Sequence, residues 1–477
     1  MSHLHRFTHF MHLLELWIFR NPRKVLSLIA ILTLVFALRV PGLKIFTDFA
    51  DLLPQQHPYI ELHNSIKDSF GGANVLVVGV EFEEGDMFTN DNLAKIDRIT
   101  QAVDSLPGVN HNLVSSVTHR NSRKVWLTEV GSINSEPYYD STRGEYSAEA
   151  LNAIRADVAA NPRVYGPLVS PDFKMALVKA QLIEGKLDYE QTFAQLQQLR
   201  ANEETDGVTL YATGQPVLVG WAYTYMDQIL QIFIFTVLTM LALLIFHFRK
   251  AYGVLIPLGG VLISTIWGLG IISFLGYNLD PLGLVIPFLI AARAMSHGVQ
   301  LVERYYAEAE VLGDGPKAAK ATFDSLFRPG SLGVVSDAIG LSLIAIGSIP
   351  LNTNLGIYAS LWAITVVFTV LIGVPLLLSI LPTPKNAKIR ETALRHIGGT
   401  CSRTVTKPGS ARVILLIAGV AMLAGLLAAS NVQIGDSEPG SPILYPDHDY
   451  NVSSRIVNER FPGSEELYIV AETDEKG

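Results

Sequence analysis

Seven apolar runs, each long enough to cross a bilayer, constrain this chain more than any other feature. They fall near residues 25–40, 229–248, 251–275, 281–302, 330–350, 354–381 and 411–429. In hydrocarbon every backbone polar group must be satisfied within the segment, so such runs read as helices. The 477 residues are 49% hydrophobic and only 17% charged. That balance excludes a disordered chain and fits membrane spans combined with a sizeable polar portion. A net charge of −8 argues against nucleic acid as the partner. The single cysteine, Cys401, excludes an internal disulfide and a multi-thiolate metal site.

Basic residues set the expected orientation. Arg20, Arg23 and Lys24 precede the first run, and Arg249 and Lys250 separate the second from the third. Residues 383–412 carry Lys385, Lys388, Arg390, Arg395, Arg403, Lys407 and Arg412 against one acid, Glu391. The short connections 276–280 and 351–353 carry no Lys or Arg. The positive-inside rule then puts the N-terminus in the cytoplasm, and all seven crossings alternate. The first run has no small-x-small cleavage site and reads as an uncleaved signal anchor.

The resulting plan has seven parts. Residues 1–24 form a cytoplasmic amphipathic N-terminus, 25–43 the first span, and 44–227 an outer α+β domain. Residues 228–381 form a five-span bundle, 382–410 a cytoplasmic linker, 411–429 the seventh span, and 430–477 the start of a second outer domain. Within the outer domain, alternation predicts strands at 75–82, 112–117, 175–183 and 208–212. Helical spacing predicts helices at 92–106, 148–158 and 189–200. Strand–helix–strand units recur, so the expected fold is one or two split βαβ sandwiches. His57, His63, His111 and His119 are scattered there and read as surface or turn histidines. At the N-terminus, Leu4, Phe7, Met11, Leu14 and Ile18 fall at helical spacing, which favours an interfacial helix over a metal site at His3, His5, His9 and His12. Residues 394–401 read as a second cytoplasmic surface helix.

The chain also resembles itself. PQQHPYIELHNSIKDSFGGANVLVVGVEFEEGD, from Pro54, matches PDHDYNVSSRIVNERFPGSEELYIVAETDEKG, from Pro446, with one residue skipped. His57 meets His448, Tyr59 meets Tyr450, Phe70 meets Phe461, and Gly72 meets Gly463. The offset is about 391 residues, so span seven reads as span one of a second copy. On this reading the chain is one repeat plus the beginning of another.

Three ionisable residues inside spans stand out, because each costs roughly 2.5–3.5 kcal/mol to insert. They are Arg293 and His297 in span four and Asp337 in span five. Arg293 and His297 are four apart and share a helix face. Counted from span ends at Val302 and Gly330, His297, Asp337 and Arg293 lie about 8, 10 and 14 Å deep. Asp337 is therefore expected between the two basic groups, with Ser296 and Ser336 beside them. One reading is a proton relay. Asp337 takes up and releases the proton, Arg293 favours its ionised form and switches partner, and His297 passes protons toward the cytoplasm. The other is a static ion pair locking two helices. In span three, Gly259, Gly260, Ser264, Gly268 and Gly270 read as close-packing positions. No G-x-x-x-x-G-K-[ST] phosphate loop occurs, and no nucleophile–base pair or metal spacing is visible, so neither an internal ATPase nor another enzyme is expected.

This order of one helix, a large outer domain, five helices and a restart resembles the RND superfamily. Within it the chain is most similar to MMPL-type exporters, whose five-helix group also resembles sterol-sensing domains. The segments that carry the likeness are FTDFADLLPQQHPY, TGQPVLVG, HGVQLVERYYAE and PGSLGVVSDAIGLSLIAIGSIPL. The resemblance implies export of lipids or other hydrophobic or amphiphilic compounds, driven by protons, across a bacterial inner membrane. Its implied partners are the bilayer, the substrate and protons, with a homo-oligomer or a periplasmic adaptor in some members and no cofactor. It also leaves open a lipid- or sterol-sensing role without pumping, an accessory role in protein export, and a fragment inactive on its own. The chain departs from the family at one place. Eight residues before Arg304, where many members carry an Asp-Tyr pair, stand Ser296 and His297. Asp337 on the neighbouring span is the candidate replacement.

Overall fold

The computed structural model describes residues 16–43, 54–70, 74–183, 188–279, 283–383, 393–432 and 439–463. The four N-terminal histidines lie outside these residues. The chain forms two compact units, Met1–Gln56 with Leu230–Gln433, and His57–Ile229 with Ile434–Gly477.

Among the described residues, seven helical stretches are long and apolar enough to span a membrane: Pro22–Gly42, Gln215–Phe248, Ala251–Leu275, Gly283–Leu312, Gly315–Ile346, Pro350–Ile380 and Gly409–Ala429. Span five begins 15 residues before the expected Gly330. Its helix, Gly315–Ser342, is capped by Asp314, whose side chain accepts from Lys317 N–H, and it runs straight through Pro329. The early turns carry Lys317, Lys320, Asp324 and Arg328 and so lie outside the apolar run. The helix of span two, Met226–Phe248, starts three residues before the expected Ile229, and the helix before it, Gln215–Thr224, packs through Val217 into the core of the sheet-containing unit. Gly214 has φ +102°, and a Cβ there would sit 2.0 Å from the Val75 carbonyl oxygen, so only glycine fits.

In the membrane unit the small residues of span three do what close packing requires. A Cβ on Gly268 would overlap the Trp362 ring at 2.0 Å, and one on Gly260 would press on Val370. Ser264 Oγ lies 3.2 Å from Thr365 Oγ1, and Trp267 Nε1 donates to Thr33 Oγ1 at 2.8 Å, which ties span three to spans six and one. Span six is not a plain helix. Pro350–Val366 passes through a π-turn at Val367–Ile372 into Gly373–Ile380. Span seven stands apart, with its large apolar side chains exposed. The short helix Ala393–Thr406 precedes it and exposes Cys401.

The second unit is built on a four-stranded antiparallel sheet in the order β2-β5-β1-β6. The strands are β1 (Val75–Phe82), β2 (Val109–Ser115), β5 (Met175–Leu182) and β6 (Val208–Thr213). β1 and β2 both pair antiparallel with β5, so they run parallel with β5 between them. Helices Asn90–Asp104 and Tyr189–Glu203 make the two crossovers, as a split βαβ fold requires. All four expected strands and all three expected helices are present, with ends shifted by a few residues. A hairpin of β3 (Arg123–Leu127) and β4 (Ile133–Pro137) was not expected.

β1 is buried on both faces. Leu76, Val78, Val80 and Phe82 enter the main core. Val77, with Met175 and Leu177, packs instead against Val457 and Phe461 of the helix Asp449–Arg460. That helix is fastened by charge. Arg200 binds Asp449 bidentately at 2.6 and 2.9 Å. Arg460 reaches Asp172 at 2.7 Å and also pairs with Glu81. His448 Nε2 lies 2.7 Å from the Tyr225 hydroxyl. The sequence repeat has a geometric echo here. The Nδ1 atoms of His57 and His448 accept the N–H groups of Tyr59 and Tyr450 at 3.2 and 3.1 Å, each at a helix start.

Candidate functional site in the membrane unit

Asp337 and Arg293 meet. Arg293 Nε lies 2.6 Å from Asp337 Oδ2, joining spans four and five well inside both helices. The geometry follows from residue size along span five. Gly330, Gly333, Asp337 and Gly340 recur at three- and four-residue spacing and line one stripe. A Cβ on Gly333 would lie 3.5 Å from the Arg293 guanidinium, and one on Gly330 would press on Leu371 of the π-turn and lie 3.7 Å from His297 Nδ1. Glycine at 330 accommodates the close approach of Leu371, whereas at 333 a Cβ would make only ordinary contact with Arg293.

The pair is not sealed. The Arg293 and Asp337 side chains retain 45% and 40% exposure. They line a cavity of about 580 Å³ together with Ser296 and Ser336, and its apolar walls include Leu289, Ala363 and Val366. Ala363 and Val366 belong to span six, directly before the π-turn, a distortion found often at functional sites. Ser296 Oγ accepts a long hydrogen bond, 3.4 Å, from Gln300.

His297 takes a different place from the one expected. It does not line the cavity, and its buried Nε2 has no hydrogen-bond partner. Asp337 therefore engages the deeper base, Arg293, rather than bridging both. The expected depths were counted from Val302 and Gly330, whereas the two helices continue to Leu312 and from Gly315. The sequence reading brought together four of the five cluster residues at one cavity and missed the glycine stripe and the span-six wall. The glycine spacing was a usable signal; the span-six wall was not, because Ala363 and Val366 are ordinary helix residues.

Chemically, the arrangement is a close ion pair with an unpartnered imidazole one helical turn away. Protonating the carboxylate would remove one of two charges in a low-dielectric setting and weaken the link between two spans. No group of three His, Cys, Asp or Glu residues placed to hold a metal ion occurs among the described residues.

Seven spans, a split βαβ unit and an ion pair beside a mid-span cavity define a polytopic membrane protein of transporter-like build. The MMPL family matches residues 93–383, and the chain belongs to that family. It is also similar to a protein of Methanocaldococcus jannaschii named as a membrane protein, MJ1562. The two are 25% identical over 351 residues, which cover 71% of this chain and 85% of that one.

Proposed function

We propose that this protein exports lipids or other hydrophobic or amphiphilic compounds, driven by the proton gradient. The observation that carries this reading is the Arg293–Asp337 pair, half-exposed at a cavity between spans four, five and six. Burying charge in a membrane is costly, and intramembrane ionisable groups are functional candidates by default. A proton crossing 100 mV releases about 2.3 kcal/mol, comparable to the cost of holding one such charge. In the proposed cycle Asp337 accepts a proton and releases Arg293. Spans four and five then shift, and the proton leaves on the other side with His297 as the relay. Ser296 and Ser336 offer hydroxyls along the path. A two-state device of this kind needs only a modest energy gap between its arrangements.

The topology belongs to the same proposal. The N-terminus lies in the cytoplasm, residues 44–227 lie outside, and the membrane is a bacterial inner membrane. The exposed surface of span seven fits a homo-oligomer or another covering partner.

A second reading, a lipid- or sterol-sensing protein, is favoured by the apolar cavity walls alone. Reconstitution of the full chain in vesicles separates the two. The export reading predicts outward movement of a labelled lipid that requires an imposed pH gradient and stops when the gradient is collapsed. Movement indifferent to the gradient, or saturable lipid binding with no movement, contradicts it.

A further inference from the structure

A second polar cavity lies in the sheet-containing unit, and the proposed export does not use it. Its volume is about 370 Å³. One wall is the helix Asn90–Asp104, which presents Asp97, Thr100, Gln101 and Asp104 at helical spacing. Opposite stand His119, from the turn after β2, and Tyr139 and Asp140, from the segment after β4. Asp97 and His119 are buried, 8% and 6% exposed. Buried polar groups of this kind are normally fully paired. His119 is not. Its Nδ1 accepts the Asn121 N–H at 3.4 Å, so Nε2 carries the hydrogen, and that buried atom has no acceptor.

The charge balance points to the ligand. Asp97, Asp104 and Asp140 line the cavity with one cation, Arg120, which is exposed. Asp140 also pairs with Arg143 at 3.4 Å and accepts from the Thr142 N–H and hydroxyl, whereas Asp97 is paired with no cation among the described residues. Asp104 holds His111 at 2.8 Å. Burial pushes the Asp97 carboxyl up, against hydrogen bonds from Ser141 and Gln101, and the nearby Asp140 charge adds to it. Burial holds His119 down and so neutral. A cation would relieve Asp97, and an acceptor would satisfy His119. A bare metal ion does not fit, because no three such groups converge to ligate one among the described residues. One small molecule carrying both an ammonium and a hydroxyl meets both needs.

We propose that this cavity binds a small hydroxylated organic ammonium, with the cation between Asp97 and Asp140 and the hydroxyl accepting from His119 Nε2. The group could reach the site as a free amino alcohol or as the headgroup of a lipid, which carries the same ammonium with a phosphate-ester oxygen as the acceptor in place of the hydroxyl. The site stands on its own geometry and does not depend on the export reading.

Calorimetric titration of the detergent-solubilised full chain with ethanolamine tests it. Saturable binding is expected, at least about tenfold tighter than ethylene glycol, which has the same shape without the charge. Asp97→Asn and His119→Phe, each checked for folding by circular dichroism, are expected to weaken binding about tenfold or more. Binding is expected to weaken as the solution is acidified and Asp97 takes up a proton. Displacement of ethanolamine by glycerophosphoethanolamine supports a lipid headgroup, and binding of ethanolamine alone supports a free amine. No saturable binding, equal affinity for ethylene glycol, or full affinity in a folded Asp97→Asn variant overturns the proposal.

Discussion

Two Arg–Asp pairs in this protein have similar contact distances and different surroundings. Arg200–Asp449 is bidentate, at 2.6 and 2.9 Å, and the arginine is only 12% exposed and also touches Glu204. Arg293–Asp337 has one close contact, at 2.6 Å, with both side chains half-open to a cavity. The first is over-determined: a helix, an apolar contact at Val457 and Phe461, and a second arginine hold the same surfaces together. The second has spare room and an unpartnered imidazole nearby. A bidentate, multiply supported pair fixes a structure, whereas a single bond beside a cavity can be broken and remade.

Substitutions should pull the two apart. The largest effect is expected from Asp337→Asn, which should reduce gradient-driven export in vesicles to background while expression stays normal. Arg293→Ala should cost about 2.5–3.5 kcal/mol of stability in thermal unfolding, because it leaves a carboxylate alone in the span. The Arg293→Ala/Asp337→Ala double variant should regain most of that stability and still fail to export. Recovery of both would make the pair a structural lock. Arg200→Ala should cost about 1.5–3 kcal/mol and speed hydrogen exchange across residues 449–460, with proton coupling intact.

Acid should loosen the Arg460–Asp172 contact that holds the same helix. Burial works to raise the Asp172 carboxyl, but hydrogen bonds from Ser170 and the Lys174 N–H, with the Arg460 charge, outweigh it and hold it below the usual carboxylate range. Its contribution is therefore complete above that range and lost as pH falls through the lowered value. Hydrogen exchange of the Asp449–Arg460 helix across an acid titration would show this loosening. The smallest effect is expected at Asp97. Its folded value is raised, so its ionised form costs stability at neutral pH. Asp97→Asn should raise the melting temperature by about 1–2 °C there, the hydrogen bonds from Ser141 and Gln101 to the carboxylate limiting the gain. That gain should vanish where acid protonates the wild-type carboxyl.

The sequence revealed these regions unequally, for physical reasons. The outer strands were legible because apolar alternation and flanking turns mark them locally. The β3–β4 hairpin was not, since its mostly exposed residues have no apolar face to reveal the period. Gly330 looked like the start of span five because Pro329 and polar residues precede it, but the helix carries the proline. The Arg293–Asp337 meeting was legible because charges in apolar runs are conspicuous and their depths comparable. Arg200 and Asp449 are 249 residues apart, and each looks like an ordinary surface charge. His119 looked like a turn histidine, and only folding buries its ring among carboxylates from other elements.

The central claim is that Asp337 itself gains and loses a proton. Infrared difference spectroscopy on the reconstituted full chain, between neutral and acid pH, reads the carboxyl C=O stretch directly. The account predicts a protonated-carboxyl band that appears on acidification, disappears in Asp337→Asn and persists in Asp97→Asn. An identical band in Asp337→Asn and wild type would contradict it.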